Sequence, residues 1–332
     1  MTIERVVRIS GAHSSPHTGA AVVHRELARR LPAELPDGFV VDDVQQADQA
    51  LYRRVMGDRS RPQADVLIQT STPMPLVARA DALIPIVYDV RWRWTRGRIG
   101  RVYRHLDLLQ TAERSNHMLT ISHTVADQLQ ALRAVPHGGL TVLSLGPGLF
   151  QEVTPAPIED RPPVILLVGA APHKRNEMAA ELLTRLPEVR DRYSVVGVSV
   201  SPATKRTLVG ALPSSRLKFL ENLSVSELAA TYAAARSYLA LGTSEGFGFP
   251  YIEAAHQGCD VIAPRQSITI ELLGDDGLLL PSATPTVADI GDALRSWDRD
   301  RVRRLQHRSI QRDWSIAAGQ LVDSMNLHLA SC

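Results

Sequence analysis

Hydrophobic and polar positions along the chain alternate between two patterns. Short runs of β-branched and aliphatic residues are separated by longer stretches in which apolar residues recur at the spacing of an amphipathic helix. This alternation is typical of βαβ units, so it predicts parallel sheets with helices on both faces. The predicted strands are 6–10, 39–42, 66–69, 84–88, 118–122 and 141–145 in the first half, and 164–168, 193–198, 217–220, 238–241, 261–263 and 278–280 in the second.

Amphipathic stretches between these strands predict the helices. Ser224 and Glu227 have the spacing of a capping box, which predicts that one helix is capped by Ser224. The last stretch, 310–329, is helical without a following strand, so it is free to pack back across the first half of the chain. The other clear helices are predicted at 20–31, 124–132, 177–186 and 227–235.

A proline-rich segment separates the two halves. Residues 146–163 contain five prolines and two glycines, a composition typical of a linker. Each half has the elements of its own doubly wound sheet, so we expect an α/β protein with domains at 1–160 and 161–332. The length of 332 residues agrees with two domains, since roughly 150 residues per domain is usual.

Composition narrows the class of protein. With 37 basic and 35 acidic side chains, the chain is too evenly charged for a dedicated nucleic-acid binder, so no nucleic-acid partner is expected. Cys259 and Cys332 are too few for a disulfide framework, which favours a reducing compartment. No apolar signal region opens the chain, and its apolar runs are far shorter than the roughly 20 residues of a membrane-spanning helix. We therefore expect a cytoplasmic protein.

A glycine-rich segment follows the strand predicted at 238–241. Residues 242–253 read GTSEGFGFPYIE and lead into a helix, with Pro250 near its first turn, where proline is favoured. Glycines let the backbone approach a ligand closely, and the start of a helix attracts an anion. Glu253, expected on the first turn, is suited to accept two hydrogen bonds from a diol such as a ribose. A tight strand-to-helix turn without a ligand explains the glycines alone equally well.

Lysine is rare in this chain, which contains only Lys174, Lys205 and Lys218. Lys174 comes just after the strand predicted at 164–168, and doubly wound sheets bind ligands at the carboxyl ends of their strands. This position favours contact with an anionic ligand. A lysine in a solvated loop is the alternative.

The spacing of Glu245 and Glu253 inside the SEGFGFP frame resembles the signature of the family-4 glycosyltransferases. These are retaining enzymes of the GT-B fold, in which two Rossmann-like domains face each other across a cleft. Residues 168–176 resemble the family's strand and loop that grip the donor diphosphate, and residues 219–228 resemble the segment that closes over the nucleobase. The resemblance covers 164–281 well and the first half only loosely.

The resemblance implies a role for each residue that matches the family pattern. Glu253 would bind the ribose hydroxyls, and Glu245 would lie beside the transferred sugar or its phosphate. Lys174 would neutralise the leaving diphosphate with help from Arg175. Ala170 stands where the family usually has an arginine, which removes one cationic contact. The remaining donor-binding residues would be Gly19, Gly169, Gly246, Phe247 and Gly248. Gly19 follows the loop 14–18, and without the resemblance it is an ordinary loop glycine.

On the acceptor side, the resemblance points to the ends of two strands in the first half. Tyr88 and Asp89 stand where many relatives carry a histidine and an aspartate, and Tyr88 does not reproduce an imidazole. His123 follows the next strand and is placed to supply a histidine to the expected cleft, although a lone histidine is more often structural.

An arginine-rich segment at 91–104 contains six arginines and two tryptophans but no acidic residue. It predicts contact with an anionic membrane surface or with a phosphorylated acceptor, for which Arg91 and Arg93 are candidates, and a solvated surface is the alternative. Its apolar positions form one helical face, which leaves the arginines outward or toward the expected cleft. These positions are Ile99, Val102, Tyr103, Leu106 and Leu109.

The resemblance thus implies a retaining glycosyltransferase that moves a sugar from a nucleotide sugar to a hydroxyl of a glycan, a lipid-linked sugar or a small molecule. Asp298-Arg299-Asp300 imitates a metal-binding motif but lies in a charged helical run, so no metal or other cofactor is expected. Two alternatives remain open. One is a GT-B epimerase or phosphorylase, and the other is a nucleotide-sugar-binding scaffold that has lost catalysis.

Overall fold

The computed structural model describes residues 5–11, 18–45, 63–70, 80–95, 97–158 and 161–329. Within them, strands and helices alternate, and the strands form two parallel six-stranded sheets, which confirms the α/β class. The chain divides into two compact units, one made of Met1–Gly146 with Asp313–Cys332 and the other of Pro147–Arg312. Residues 14–17, Arg96 and Cys332, which the sequence analysis used, lie outside the described residues.

The first unit is built around a sheet with the strand order β2-β1-β3-β4-β5-β6. Val7, Ile9, Ile68 and Ile84 are fully buried, as expected of parallel strands covered on both faces. The order changes direction between β1 and β3. The strands are β1 (Arg5–Gly11), β2 (Phe39–Gln45), β3 (Ala64–Gln69), β4 (Ala80–Val87), β5 (Met118–Thr120) and β6 (Leu140–Val142).

Helices flank this sheet. The first begins after Thr18, whose hydroxyl accepts the N–H of Ala21 and so caps it. Before the chain leaves the unit, the described helices are α1 (Gly19–Glu34), α2 (Trp92–Thr95), α3 (Arg98–Arg114) and α4 (His123–Ala131).

The second unit has the strand order β12-β11-β10-β7-β8-β9, which changes direction between β7 and β10. The core around its sheet is mostly aliphatic and includes the fully buried Ile165, Leu167, Leu183 and Ile262. The strands are β7 (Val164–Val168), β8 (Ser194–Val198), β9 (Leu217–Leu220), β10 (Ser237–Leu239), β11 (Asp260–Pro264) and β12 (Leu278–Leu280).

The helices of the second unit begin where local signals place them. Ser224 and Glu227 form the predicted capping box, in which each side chain binds the backbone N–H of the other residue. The helices are α5 (Asn176–Thr184), α6 (Pro187–Arg192), α7 (Pro202–Ala211), α8 (Val225–Ala234), α9 (Phe249–His256), α10 (Ser267–Leu273), α11 (Val287–Arg295) and α12 (Arg299–Ile310), with 3-10 turns at Gly148–Phe150, Pro172–Lys174, Ser214–Arg216 and Gly274–Asp276.

The chain passes into the second unit at Pro147 rather than near residue 160. The proline-rich segment packs on the second unit, because the Phe150 ring meets the Tyr232 ring edge to face and the buried Arg161 donates to the carbonyls of Ala235 and Gln257. Its composition identifies a connection but does not tell which unit it packs on.

The last helix, α13 (Trp314–Leu329), belongs to the first unit, where it packs against α1 and β4. The prediction of one helix over 310–329 is wrong at its start, because α12 ends at Ile310 and the Asp313 carboxylate accepts the N–H of Ser315 to begin a new helix. Trp314 is fully buried against Gly146, where any side chain would overlap its ring.

Candidate active site

The second unit brings two loops together at the carboxyl ends of β7 and β10. These strands are neighbours in the sheet, and the strand order changes direction between them. In a doubly wound sheet this is the point where the loops separate and leave a crevice for a ligand. The loop 169–175 follows β7, and the loop 240–248 follows β10.

An ion pair joins the two loops. The Lys174 ammonium lies 2.7 Å from Oε1 of Glu245, and both side chains are largely buried, with exposed fractions of 19% and 11%. Nε2 of His173 lies 3.6 Å from the same oxygen. The structure therefore brings together the two charged residues that the sequence assigned to the diphosphate and the sugar.

The backbone of the first loop is held in place by Asn176. This side chain is buried and donates to the carbonyl oxygens of Val168 and Gly169 at 3.1 and 2.6 Å. Gly169 has a φ of 93°, a conformation that glycine adopts at little cost. Sequence reasoning missed Asn176. The signal was a short polar side chain at the start of a helix, where it commonly binds backbone groups.

Arg175 does not reach the Lys174–Glu245 pair. Its backbone is left-handed, with a φ of 55°, and its guanidinium donates to the carbonyl of Ala283 in the loop after β12. Lys174 is thus the cation of this loop that meets Glu245.

The glycines of the second loop surround a packed phenylalanine. Gly248 has a φ of 88°, and a Cβ there would lie 2.5 Å from the ring of Tyr251, so the turn requires glycine. Phe247 is buried, with its ring edge-on to Phe249 at 5.0 Å and the guanidinium of Arg312 5.4 Å from its centroid. Its side chain is therefore part of the core. A ligand at the segment 246–248 would therefore meet backbone groups rather than the Phe247 ring.

Glu253 lies in the second turn of α9, not in the first as expected, because the helix begins at Phe249. Only 6% of the residue is exposed. Its carboxylate accepts a hydrogen bond from the N–H of Leu149, and a Cβ at Gly148 would lie 2.6 Å from Oε1. Burial raises the pKa of Glu253 to about 7, and the Leu149 N–H and the charge of Lys174 oppose that rise.

The turn that meets Glu253 was missed by sequence reasoning. Gly148 and Leu149 lie in the proline-rich segment, about a hundred positions before Glu253, and were interpreted as linker. Gly148 has a φ of 64°, so both its conformation and its contact with the carboxylate require glycine. Nothing in the local pattern pairs this turn with a glutamate on α9.

The candidates of the first unit lie at the starts of helices or the ends of strands. Gly19 is the first residue of α1, and His123 is the exposed first residue of α4. Tyr88 follows β4, and its buried hydroxyl has no hydrogen-bond partner among the described residues. Burial raises the pKa of Tyr88. Asp89 accepts hydrogen bonds from the backbone and guanidinium of Arg91 at 3.0 and 2.8 Å.

The arginine-rich segment forms α2 and the start of α3, with Arg93 exposed. Of the five apolar positions expected to share a face, Leu109 packs against the core, while the other four are more than half exposed. Arg98 and Arg101 are exposed, as expected, but most of the apolar face is exposed as well and does not pack against the core.

The apparent metal motif at Asp298 has a structural role. The Asp298 carboxylate accepts the N–H groups of Asp300 and Arg301 at 2.8 and 3.4 Å and so caps α12. This agrees with the interpretation of the motif as part of a helical segment.

Comparison with known proteins finds clearer similarity in the second unit than in the first. Residues 162–297, less than half of the chain, match the family model described as "Glycosyl transferases group 1". The O-antigen chain mannosyltransferase RfbU of Salmonella typhimurium is 24% identical over 224 residues, which are 63% of this chain and 61% of that protein. The D-inositol 3-phosphate glycosyltransferase of Corynebacterium aurimucosum is 31% identical over 170 residues, which are 46% of this chain and 40% of that protein. The chain thus spans less than two thirds of either relative.

Among solved structures, Anabaena HepE in complex with UDP and glucose superimposes with a TM-score of 0.69 over 99% of this chain and 100% of that chain. The sequence identity is 15%, so this similarity supports only the fold. The fold is GT-B, with two Rossmann-like units, as the sequence predicts. Among the described residues, no helix has the length and apolar character needed to cross a membrane.

Proposed function

We propose that this protein transfers a sugar from a nucleoside-diphosphate sugar to a hydroxyl of an acceptor, with retention of anomeric configuration and without a metal. The observation that carries the proposal is the 2.7 Å ion pair between Lys174 and Glu245, at the carboxyl ends of two adjacent strands and beside the start of α9. The family match at residues 162–297 includes every part of this arrangement.

The chemistry follows from where charge develops. As the bond between the anomeric carbon and the phosphate oxygen breaks, the sugar gains oxocarbenium character and the diphosphate gains negative charge. Lys174 and the amide groups at the start of α9 are positive groups already in place to stabilise that charge. The acceptor oxygen bonds to the same face of the anomeric carbon, and its proton passes to the departing phosphate oxygen. No carboxylate nucleophile is needed.

Glu245 and Glu253 then have separate tasks. Glu245 holds Lys174 and accepts hydrogen bonds from the sugar hydroxyls. Glu253 holds the ribose diol with its carboxylate, to which the Leu149 N–H also donates. We assign the chain on these grounds to the family-4 enzymes acting in the cytoplasm, with a glycan, a lipid-linked sugar or a small molecule as acceptor. Uridine diphosphate is the first nucleotide to test, because Anabaena HepE was solved with UDP and glucose.

The test is release of nucleotide from a panel of UDP-, GDP-, dTDP- and ADP-sugars, with and without EDTA. We expect slow release from one donor without acceptor, unchanged by EDTA. NMR of the glycosylated product is expected to show the anomeric configuration of the donor. Loss of release in EDTA would contradict metal independence, and an inverted product would contradict retention.

Ala170 favours one second candidate, a nucleotide-sugar-binding protein without turnover. This residue stands where the family pattern has an arginine, so one cation near the diphosphate is missing. Binding of a donor by calorimetry, with no release of nucleotide from any donor in the panel, would select the second candidate and exclude the first.

A further inference from the structure

A strip of four apolar side chains on α3 lies open to solvent. The exposed fractions are 88% for Ile99, 60% for Val102, 62% for Tyr103 and 59% for Leu106. Their spacing of three and four residues puts them on one face of the helix. The opposite side of α3 is already packed, since Leu108, Thr111 and Ala112 are buried. The helix therefore has a second apolar face that no described part of the chain covers.

A groove of about 510 Å³ runs beside the strip. It lies between α2 and α3, and Arg101 links the two helices by donating to the carbonyl of Arg93 at 3.4 Å. The groove continues the apolar strip, because Val102 and Leu106 line both. Its other lining residues are Trp92, Arg93, Arg101, His105 and Leu132. We call the strip and this groove together the α2–α3 surface.

The charged side chains around this surface are positive. The sequence has no acidic residue from 90 to 106, and the exposed Arg93, Arg98 and Arg101 lie among the apolar residues of the surface. The first acid on α3 is Asp107, which pairs with Arg104 at 3.4 Å. An apolar strip bordered by arginines matches a partner that has apolar material beneath a layer of negative charge.

We propose that the α2–α3 surface docks the protein on an anionic lipid bilayer, with α3 lying in the plane of the membrane interface. The strip enters the boundary between headgroups and acyl chains, and the arginines bind lipid phosphates, as their long side chains permit. A second copy of this chain fits less well, because two such surfaces would bring their arginines together. The docking is separate from the donor site proposed above, whose residues Lys174, Glu245 and Glu253 belong to the second unit.

The experiment is co-sedimentation of the full chain with vesicles of phosphatidylcholine alone or with 30% phosphatidylglycerol, at 50 mM and 500 mM salt. We expect sedimentation with the anionic vesicles only, and at least a tenfold loss of binding at high salt. A protein that stays in the supernatant with anionic vesicles at 50 mM salt would overturn the proposal.

Two variants separate the apolar and charged contributions. Val102→Ser with Leu106→Ser, and Arg98→Gln with Arg101→Gln, are each expected to weaken binding at least tenfold. The matched controls change residues of similar exposure elsewhere and are expected to bind like wild type. They are Val209→Ser with Ile316→Ser, and Arg303→Gln with Arg308→Gln.

Because every changed side chain on α3 is exposed, the variants are expected to melt at the wild-type temperature and to release nucleotide from the donor at the wild-type rate. Equal loss of vesicle binding in the controls would overturn the proposal. So would a wild-type dimer, seen by sedimentation velocity, that Val102→Ser with Leu106→Ser dissociates, because it would assign the strip to a second copy.

Discussion

In the proposed reaction, the charge of Lys174 acts as the diphosphate leaves. Lys174→Met is therefore expected to lower kcat about 100-fold or more while changing donor affinity much less, because the stabilised charge develops in the transition state. Steady-state kinetics and calorimetry give the two quantities. Lys205→Met is the control, since Lys205 forms a similar 2.7 Å pair with Glu221 on a more exposed surface. A near-normal kcat in Lys174→Met would transfer the role to another cation.

If Glu253 holds the ribose diol as proposed, donor binding is expected to depend on pH. When ionised, its carboxyl group offers both oxygens to a diol as charge-assisted acceptors, whereas the protonated acid is a weaker acceptor. Burial raises its pKa to about 7 against the pull of Lys174. The affinity for a nucleotide sugar is therefore expected to rise between pH 6 and 8, by up to tenfold per unit below the pKa. Calorimetry across this range measures it.

Glu253→Gln keeps the shape of the side chain but does not titrate, so its donor affinity is expected to be weaker and independent of pH. A sloping profile in this variant would assign the titration to another group.

Gly148 is required by its neighbour as well as by its own backbone. Gly148→Ala places a Cβ 2.6 Å from the Glu253 carboxylate at a φ of 64°, so we expect lower stability and weaker donor binding. Gly38→Ala is the matched control, because Gly38 has a φ of 90° with no atom within 4 Å of the added Cβ. It is expected to lose about 1 kcal/mol of stability and to bind donor normally. Equal donor affinity in both variants would show that Gly148 does not position Glu253.

At the scale of elements, a buried ion pair joins α12 to β11. Arg301 binds both carboxylate oxygens of Asp260 at 2.7 and 2.6 Å, and Asp260 is only 1% exposed. Arg301→Met is expected to cost about 3–5 kcal/mol of unfolding free energy, because the buried carboxylate loses its partner. Arg303→Met, which breaks an exposed pair with Asp300, is expected to cost less than about 1 kcal/mol. Chemical denaturation compares them, and similar costs would contradict the role of burial.

Elements with local signals were predictable from the sequence. The strand at Val164–Val168 and the cap at Ser224 depend on residues next to them, so pattern and capping chemistry suffice. The second face of α3 was not predictable. Apolar spacing indicates that a helix has an apolar face, but whether that face meets the core depends on elements far away in the sequence.

The candidate site likewise contains contacts that were predictable from the sequence and contacts that were not. Lys174 and Glu245 follow adjacent strands of a doubly wound sheet, so their meeting could be inferred from the topology. The burial of Glu253 comes from a turn about a hundred residues earlier, and no spacing rule connects Gly148 to it.

At the scale of the molecule, the second unit is continuous and contains Gly169, Lys174, Glu245 and Glu253. The fragment 147–312 is therefore expected to fold alone and to bind nucleotide within about tenfold of the full chain, or about 1.4 kcal/mol. The fragment is expected not to transfer sugar to an acceptor. Circular dichroism, calorimetry and the nucleotide-release assay test these points. A folded fragment without nucleotide affinity would place essential donor contacts in the first unit.

The return of α13 to the first unit sets an order of events during synthesis. The ribosome makes most of the first unit first, yet Trp314, which fills the space beside Gly146, is added 168 positions later. At roughly 5–20 residues per second, this gap lasts on the order of 10–30 s. Meanwhile the second unit is synthesised, and most of it leaves the exit tunnel before Trp314 is added. The first unit, whose synthesis begins first, is therefore completed last. Until then, the surface of α1 that α13 will cover stays exposed to chaperones.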